Sequence, residues 1–351
     1  MTECILHIGV EKTGSTSVQA TLSKNRQKLR AHGVLYPEAL GEKNHVKAYA
    51  FASESGVDEL KSPWGLDNPA AIARFRNQLT AQLTQEVRAA RPKVFCVSNE
   101  HCSSRLLARS EIERLADLLG GLADTVKVVV YLRRQGDALR SAYSTYIKTG
   151  GTDHFDLPGP EEIKRKYDYE AILGRWAAVF GEGAMDVRLF DRETLKDGDV
   201  VADFVAGLGI NPREFILEKE MNKSLGSLGL EFLRIFNARV PYTADNAFNP
   251  LRGNIQELVE QFTSGDPYEG DGAAMSAFDE TMAAGNERVR ARYFPNRDGP
   301  LFAPVNRAAA VAGPEAPLEG AMALMAQVWE AKQKQVLQLR TRIAKLTGGK
   351  G

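Results

Sequence analysis

The stretch Ile5-Leu6-His7-Ile8-Gly9-Val10-Glu11-Lys12-Thr13-Gly14-Ser15-Thr16-Ser17 constrains the fold of this chain more than any other. A short apolar run (Ile5, Leu6, Ile8) enters a turn containing two glycines, and a helical pattern begins at Ser15. Strand, tight turn and helix in immediate succession are the opening unit of a layered α/β structure. Gly9 and Gly14 let the backbone turn sharply and come close to a ligand. The first N–H groups of the new helix have no partner inside it, so they point at whatever anion sits there. Lys12 and the hydroxyls of Thr13, Ser15, Thr16 and Ser17 add charge and directed hydrogen bonds. The two glycines have the spacing of the nucleoside-triphosphate P-loop, yet the lysine precedes the second glycine and Ser15 follows it. The lysine therefore reaches a ligand from the turn rather than from the helix start. The competing reading is a plain glycine-containing βα turn.

A second segment weighs against that plain reading. Val126-Lys127-Val128-Val129-Val130-Tyr131-Leu132 is β-branched and apolar, as a buried parallel strand is. Arg133-Arg134-Gln135-Gly136-Asp137 reads as a turn and Ala138 to Lys148 as a helix carrying Ser141. Ligands of open α/β sheets sit outside the carboxyl ends of the strands. An arginine fork at that end, with a hydroxyl on the next helix, suits a second phosphate. Solvated arginines on a surface turn are the alternative for this segment alone.

Together these segments resemble the sulfotransferases that use 3′-phosphoadenosine 5′-phosphosulfate (PAPS), in particular the bacterial branch acting on saccharides and other small hydroxylated acceptors. His7 to Ser17 looks like the family's 5′-phosphosulfate loop. Tyr131-Leu132-Arg133-Arg134 with Ser141-Ala142-Tyr143 looks like its 3′-phosphate motif. The likeness covers about the first half of the chain. Beyond residue 150 it is loose, resting on Asn222-Lys223-Ser224-Leu225 and Tyr293-Phe294. It implies a P-loop-like three-layer α/β fold with a mostly parallel central sheet flanked by helices. It also implies PAPS as sulfuryl donor, 3′,5′-adenosine bisphosphate (PAP) as product, no metal, and a small-molecule or glycan acceptor. Lys12 would meet the charge on the leaving phosphate oxygen. Thr13, Gly14, Ser15, Thr16 and Ser17 would hold the 5′-phosphate, and Arg133 and Ser141 the 3′-phosphate. The acceptor hydroxyl needs a base, and Glu100, His101 and His45 are the candidates, in that order. Glu100 and His101 follow the strand that begins at Val94. Glu100 could instead cap a helix or pair with Arg105 or Arg109, and a loop histidine such as His45 is commonly a surface residue. His7 reads as a structural donor. Tyr242, Arg252, Tyr268, Arg292, Tyr293 and Phe294 could line the acceptor side, or be ordinary surface and core residues.

Two other functions stay open. A small-molecule kinase expects a lysine directly after Gly14 and an acidic Mg²⁺ ligand, for which only Asn99-Glu100 is available. A non-catalytic nucleotide-binding or scaffolding protein would work through its C-terminal helix.

Lys plus Arg and Asp plus Glu both number 45, which argues against a nucleic-acid binder working through bulk charge. Three cysteines make no disulfide framework and read as small buried residues. No run approaches the length of a membrane span, and a cytoplasmic setting is expected. The chain is expected to divide into an α/β domain over 1–307, a linker over 308–317 and a helix over 318–346. Helices are expected over about 15–30, around Ile72 to Val87, after a Ser110/Glu113 capping box up to Gly120-Gly121, and over Tyr169 to Phe180. Strands are expected at Val94 to Ser98 and Met185 to Phe190. Residues 40–70 and 241–315 read as loops or lids. In the last segment Leu318, Met322, Met325, Trp329, Val336, Leu339, Ile343 and Leu346 keep a heptad spacing interrupted once by Lys332. Such a seam either packs on its own domain or pairs two copies as a homodimer.

Overall fold

The computed structural model describes residues 1–216, 225–244, 247–263, 272–305 and 316–346. Five strands form one parallel sheet: β1 (Glu3–His7), β2 (Val34–Leu35), β3 (Val94–Ser98), β4 (Thr125–Leu132) and β5 (Met185–Leu189), in the order β2-β3-β1-β4-β5. The chain folds into two compact units. The first comprises 1–138, 158–221 and 279–304, and the second 139–157, 222–278 and 305–351.

The first unit contains the whole sheet. Side chains alternate between its faces, as the period of a strand requires. Cys4, Leu6 and Ile8 join one core with Phe95, Val97, Val128, Val130 and Leu132. Helices α3 (Val46–Ala52), α4 (Pro69–Ala90), α6 (Arg109–Gly120) and α9 (Tyr169–Phe180) supply Tyr49, Leu83, Leu115 and Trp176 to it. Ile5, Cys96, Val129 and Tyr131 face the other way, against Val18 and Leu22 of α1 (Ser15–Lys24) and Phe204 of α10 (Val200–Gly207). Helices therefore cover both faces, and the architecture is three-layered α/β. Helices α2 (Arg26–Ala31), α5 (His101–Arg105) and α8 (Pro160–Lys166) also belong to this unit.

β1 is central, with β3 on one side and β4 on the other, so the order switches at β1 and opens a crevice at its carboxyl end. The register sets His7 beside Ser98 and Val129. Gly9 and Asn99-Glu100 therefore leave the sheet from the same edge.

Several boundaries differ from the sequence expectation. The helix expected over 15–30 is two helices, because the Asn25 side chain takes up the Thr21 carbonyl at 2.8 Å and the Ile216 carbonyl at 3.1 Å. Asparagine competes with helical backbone bonding in this way. The Ser110/Glu113 box does not form. Glu111 caps α6 instead, accepting from the N–H groups of Leu107 and Ala108 at 2.9 Å, while Ser110 bonds Glu54 and Glu113 pairs with Arg109. The short edge strand β2 carries no alternation long enough to read. Residues 40–70 are not loop throughout, since α3 buries Ala48, Tyr49 and Phe51 there. Nor are residues 241–315: α12 (Ile255–Thr263) and α13 (Gly272–Tyr293) lie within them, with Ile255, Leu258, Met275 and Val289 buried.

The second unit is helical. Its core joins Ile147 of α7 (Gln135–Lys148), Leu230 and Leu233 of α11 (Ser227–Arg239), and Val259 of α12, with Val328 of α14 (Ala316–Leu346) packed against them. A two-stranded antiparallel ribbon, β6 (Thr243–Ala244) and β7 (Ala247–Phe248), completes it. Asn237 ties it internally, donating to the carbonyls of Ile147 and Gly151 at 2.7 and 2.8 Å. Leu324 and Val328 of α14 face this unit, and Lys332 bonds Asn254. The heptad seam is a different stripe: Met322, Met325, Trp329, Leu339, Ile343 and Leu346 are each at least 58% exposed. The expected linker lies outside the described residues up to 315. Among the described residues no helix is long and apolar enough to cross a membrane.

Candidate functional site

The turn between β1 and α1 is held in a strained form. Gly9, Lys12 and Gly14 have φ of 61°, 71° and 77°. For Lys12, a residue with a Cβ, the left-handed region costs about 1–2 kcal/mol, and such strain gathers at functional sites. Local bonds hold it in place. Thr13, fully buried, donates its hydroxyl to the Val10 carbonyl at 2.6 Å. Arg133, beyond the end of β4, donates to the Lys12 carbonyl at 2.8 Å and stacks its guanidinium on Phe190. Gly14 is the N-cap of α1, with no side-chain cap for the helix. Its N-terminus retains the donor groups and positive dipole end that suit an anion. Ser15 and Ser17 are buried beside it and Thr16 is exposed.

Glu100 sits against this turn. A Cβ built on Gly9 would stand 3.0 Å from the Glu100 Cβ. Its carboxylate accepts from Gln19 Nε2 at 2.7 Å, and Asn44 Nδ2 lies 3.4 Å away. Gln19, on α1 and 2% exposed, also reaches Ser98 Oγ at 3.3 Å. Arg105 pairs with Asp58 and Glu59, and Arg109 with Glu113, so neither neutralises Glu100. Two amide groups thus hold the carboxylate in place beside the turn. Neither amide was legible in the sequence, since each stands more than 50 residues from Glu100.

The histidines differ in setting. His101 opens α5, with its Nδ1 buried and without a hydrogen-bond partner among the described residues. His45 is wholly buried, stacked on Tyr36, and its Nδ1 accepts the Ser98 N–H at 3.2 Å. Burial, then Arg26, lowers its pKa to about 3, so it stays neutral. It is not on the surface, as a loop histidine commonly is. His7 shares a 2.8 Å bond with Ser98 Oγ, and burial followed by Arg188 lowers it to about 3.

On the β4 side, α7 starts at Gln135, three residues earlier than expected. Arg134 is a structural tie, bonded to Asp137 at 2.9 Å and to the Ala303 carbonyl at 2.7 Å. The Gly136 N–H is taken by Asp279 at 2.7 Å, and Gln135 exchanges amide bonds with Asn286. Ser141 lies on the second turn of α7, in the second unit. Of the residues considered for the acceptor side, Arg252 is 3% exposed and bonded to Val240 and Asn237. Arg292 and Tyr293 both bond Glu182. Phe294 packs on the sheet core. Tyr268 and Asn222-Lys223-Ser224 lie outside the described residues.

Glu11 is anchored by α5 and α8. Ser104 donates to it at 2.7 Å and Lys166 stands 3.8 Å away. Burial alone would raise its pKa. Lys166, the Ser104 hydroxyl, His101 and Arg105 outweigh that and hold it below the ordinary carboxylate range. The three cysteines are free and buried, and burial pushes their thiols up. Among the described residues no three His, Cys, Asp or Glu side chains gather as a metal site.

No family model matches the chain. A segment is 36% identical over 113 residues to an uncharacterized protein of Archaeoglobus fulgidus, covering 32% of this chain and 30% of that protein. The chain thus matches under a third of that relative's length. Among solved structures, it is similar to a sulfotransferase from Alicyclobacillus acidocaldarius. That likeness has a TM-score of 0.38 at 22% identity, covering 67% of this chain and 91% of the other.

Proposed function

We propose that this chain is a sulfotransferase that moves a sulfuryl group from PAPS to an acceptor hydroxyl, with a saccharide or glycoconjugate as the acceptor class. One observation carries the reading: Lys12 is held left-handed between two glycines at the end of the central strand, beside an uncapped helix N-terminus, with Glu100 packed on the same turn. A phosphate fits that donor set, and a lysine rising from the turn meets the oxygen on the sulfuryl side of it. PAPS supplies an activated sulfuryl group with a phosphate leaving group.

In-line transfer asks the protein for position and charge rather than for covalent chemistry. The N–H groups of Ser15 and Thr16 and the hydroxyls of Ser15, Thr16 and Ser17 hold the 5′-phosphate. Lys12 stabilises the charge that develops on the leaving oxygen. Arg133, donating to the Lys12 carbonyl at the end of β4, is the residue for the 3′-phosphate. Glu100, positioned by Gln19 and Asn44, takes the acceptor proton. His101 is the second candidate for that proton. His45, buried and neutral, is the weakest, because its Nδ1 is engaged with the backbone. The motif likeness supports the donor, and the cytoplasmic setting rests on the free thiols.

The test is titration with PAP. Metal-independent binding that Arg133→Ala weakens is the expected result. Binding of ATP only with Mg²⁺, and none of PAP, sinks the reading.

A further inference from the structure

The geometry points to Glu11 as a positioning residue: clamped by Ser104 of α5 and Lys166 of α8, it fixes the phosphate turn so that Lys12 keeps its left-handed backbone and presents its ammonium to the transferring group. This rests on the sulfotransferase reading. Glu11 immediately precedes Lys12, the residue in the turn whose conformation is unfavourable for its type. A strained residue persists only where its surroundings over-determine it. Lys12 is restrained on both sides. Its carbonyl accepts from Arg133 at 2.8 Å, and the carboxylate of its predecessor is bonded to Ser104 at 2.7 Å with Lys166 at 3.8 Å. Lys166 is itself steadied by Glu162 at 2.8 Å. Against the cost of burial, Lys166 from α8 and Ser104, His101 and Arg105 from α5 favour the charged form of Glu11, and Tyr167 stands nearby. The side chain is about a quarter exposed (27%), so the pair is only partly screened. A carboxylate so engaged is a strut rather than a proton acceptor.

The test uses the full chain and four variants, Glu11→Ala, Glu11→Gln, Ser104→Ala and Lys166→Met. Three readouts are taken: hydrogen exchange of the amides of residues 10–14, PAP affinity, and turnover of PAPS to PAP with water or a saccharide pool as acceptor. Misplacing a reacting group by about 1 Å costs on the order of a hundredfold. Glu11→Ala is therefore expected to lower kcat by about ten- to a hundredfold, with KM for PAPS and PAP affinity little changed and turn exchange faster. Glu11→Gln, which keeps an acceptor for Ser104, should fall between it and the wild type, and Ser104→Ala and Lys166→Met should each reproduce part of the loss. Unchanged kcat and exchange in Glu11→Ala and Lys166→Met, in a protein that binds PAP, overturn the clamp and leave the sulfotransferase reading standing. A Glu11→Gln variant as inactive as Glu11→Ala, beside a fully active Lys166→Met, makes Glu11 a proton acceptor and also overturns it. A wild type that binds no PAP removes the reading, and exchange alone then decides the clamp: unchanged protection in Glu11→Ala overturns it.

Discussion

At the scale of single residues, Lys12 and Glu100 have separable tasks. Lys12→Met removes a preorganised charge, and kcat is expected to fall by about a hundred- to a thousandfold, with a smaller loss of PAP affinity. Glu100→Gln keeps the contacts to Gln19 and Asn44 within reach of an amide and removes the base. Turnover should fall while PAP affinity stays within about twofold, a change of roughly 0.4 kcal/mol or less. Calorimetry beside a turnover assay checks both. The two glycines also differ. A Cβ on Gly14 would lie 2.6 Å from Val200 Cγ1 of α10, so Gly14→Ala should lower the melting temperature. One on Gly9 would press on Glu100 instead, at 3.0 Å, so Gly9→Ala should lower turnover in addition to the stability that its positive φ costs. Lys12 and Gly14 were legible because their spacing is local to one turn, and Arg133 because it directly follows an apolar strand. Gln19, Asn44, Ser104 and Lys166 were not, because each acts on a residue far along the chain, and only the sheet order brings them there.

At the scale of elements, the apolar runs of β3, β4 and β5 placed those strands to within a residue at each end, and that of β1 started two residues late. Helix ends were less legible, because local side chains decide them: Asn25 divides the first helix and Glu111 displaces the expected box. α12 and α13 escaped notice inside a Gly- and Asn-rich region, although Ile255, Leu258 and Val259 are buried on one face. The α14 seam has Val336 and Ile343 in one heptad position and Leu339 and Leu346 in the other, the choice that favours two strands. Its expected partner is a second copy. The prediction is a dimer by sedimentation, turned to a monomer by Leu339→Asp with Ile343→Asp at an unchanged melting temperature. A monomeric wild type contradicts it.

At the scale of the whole molecule, equal numbers of basic and acidic residues leave function to local charge, and the crevice end of the sheet is where Lys12, Arg133 and Glu100 collect. Acid should destabilise the fold by a definable route. His7 and His45 titrate near 3 when folded against an ordinary value of 6.5. Between those values the unfolded chain binds more protons, so stability falls as pH drops below about 6.5 and the loss levels off near 3. Urea midpoints at pH 7 and pH 5 check this, and equal midpoints contradict it. The central claim is most directly tested by calorimetric titration of the full chain with PAP and, separately, with ATP, each with and without Mg²⁺. The account predicts PAP binding that ignores the metal and weakens in Arg133→Ala. Mg²⁺-dependent binding of ATP with none of PAP would contradict it.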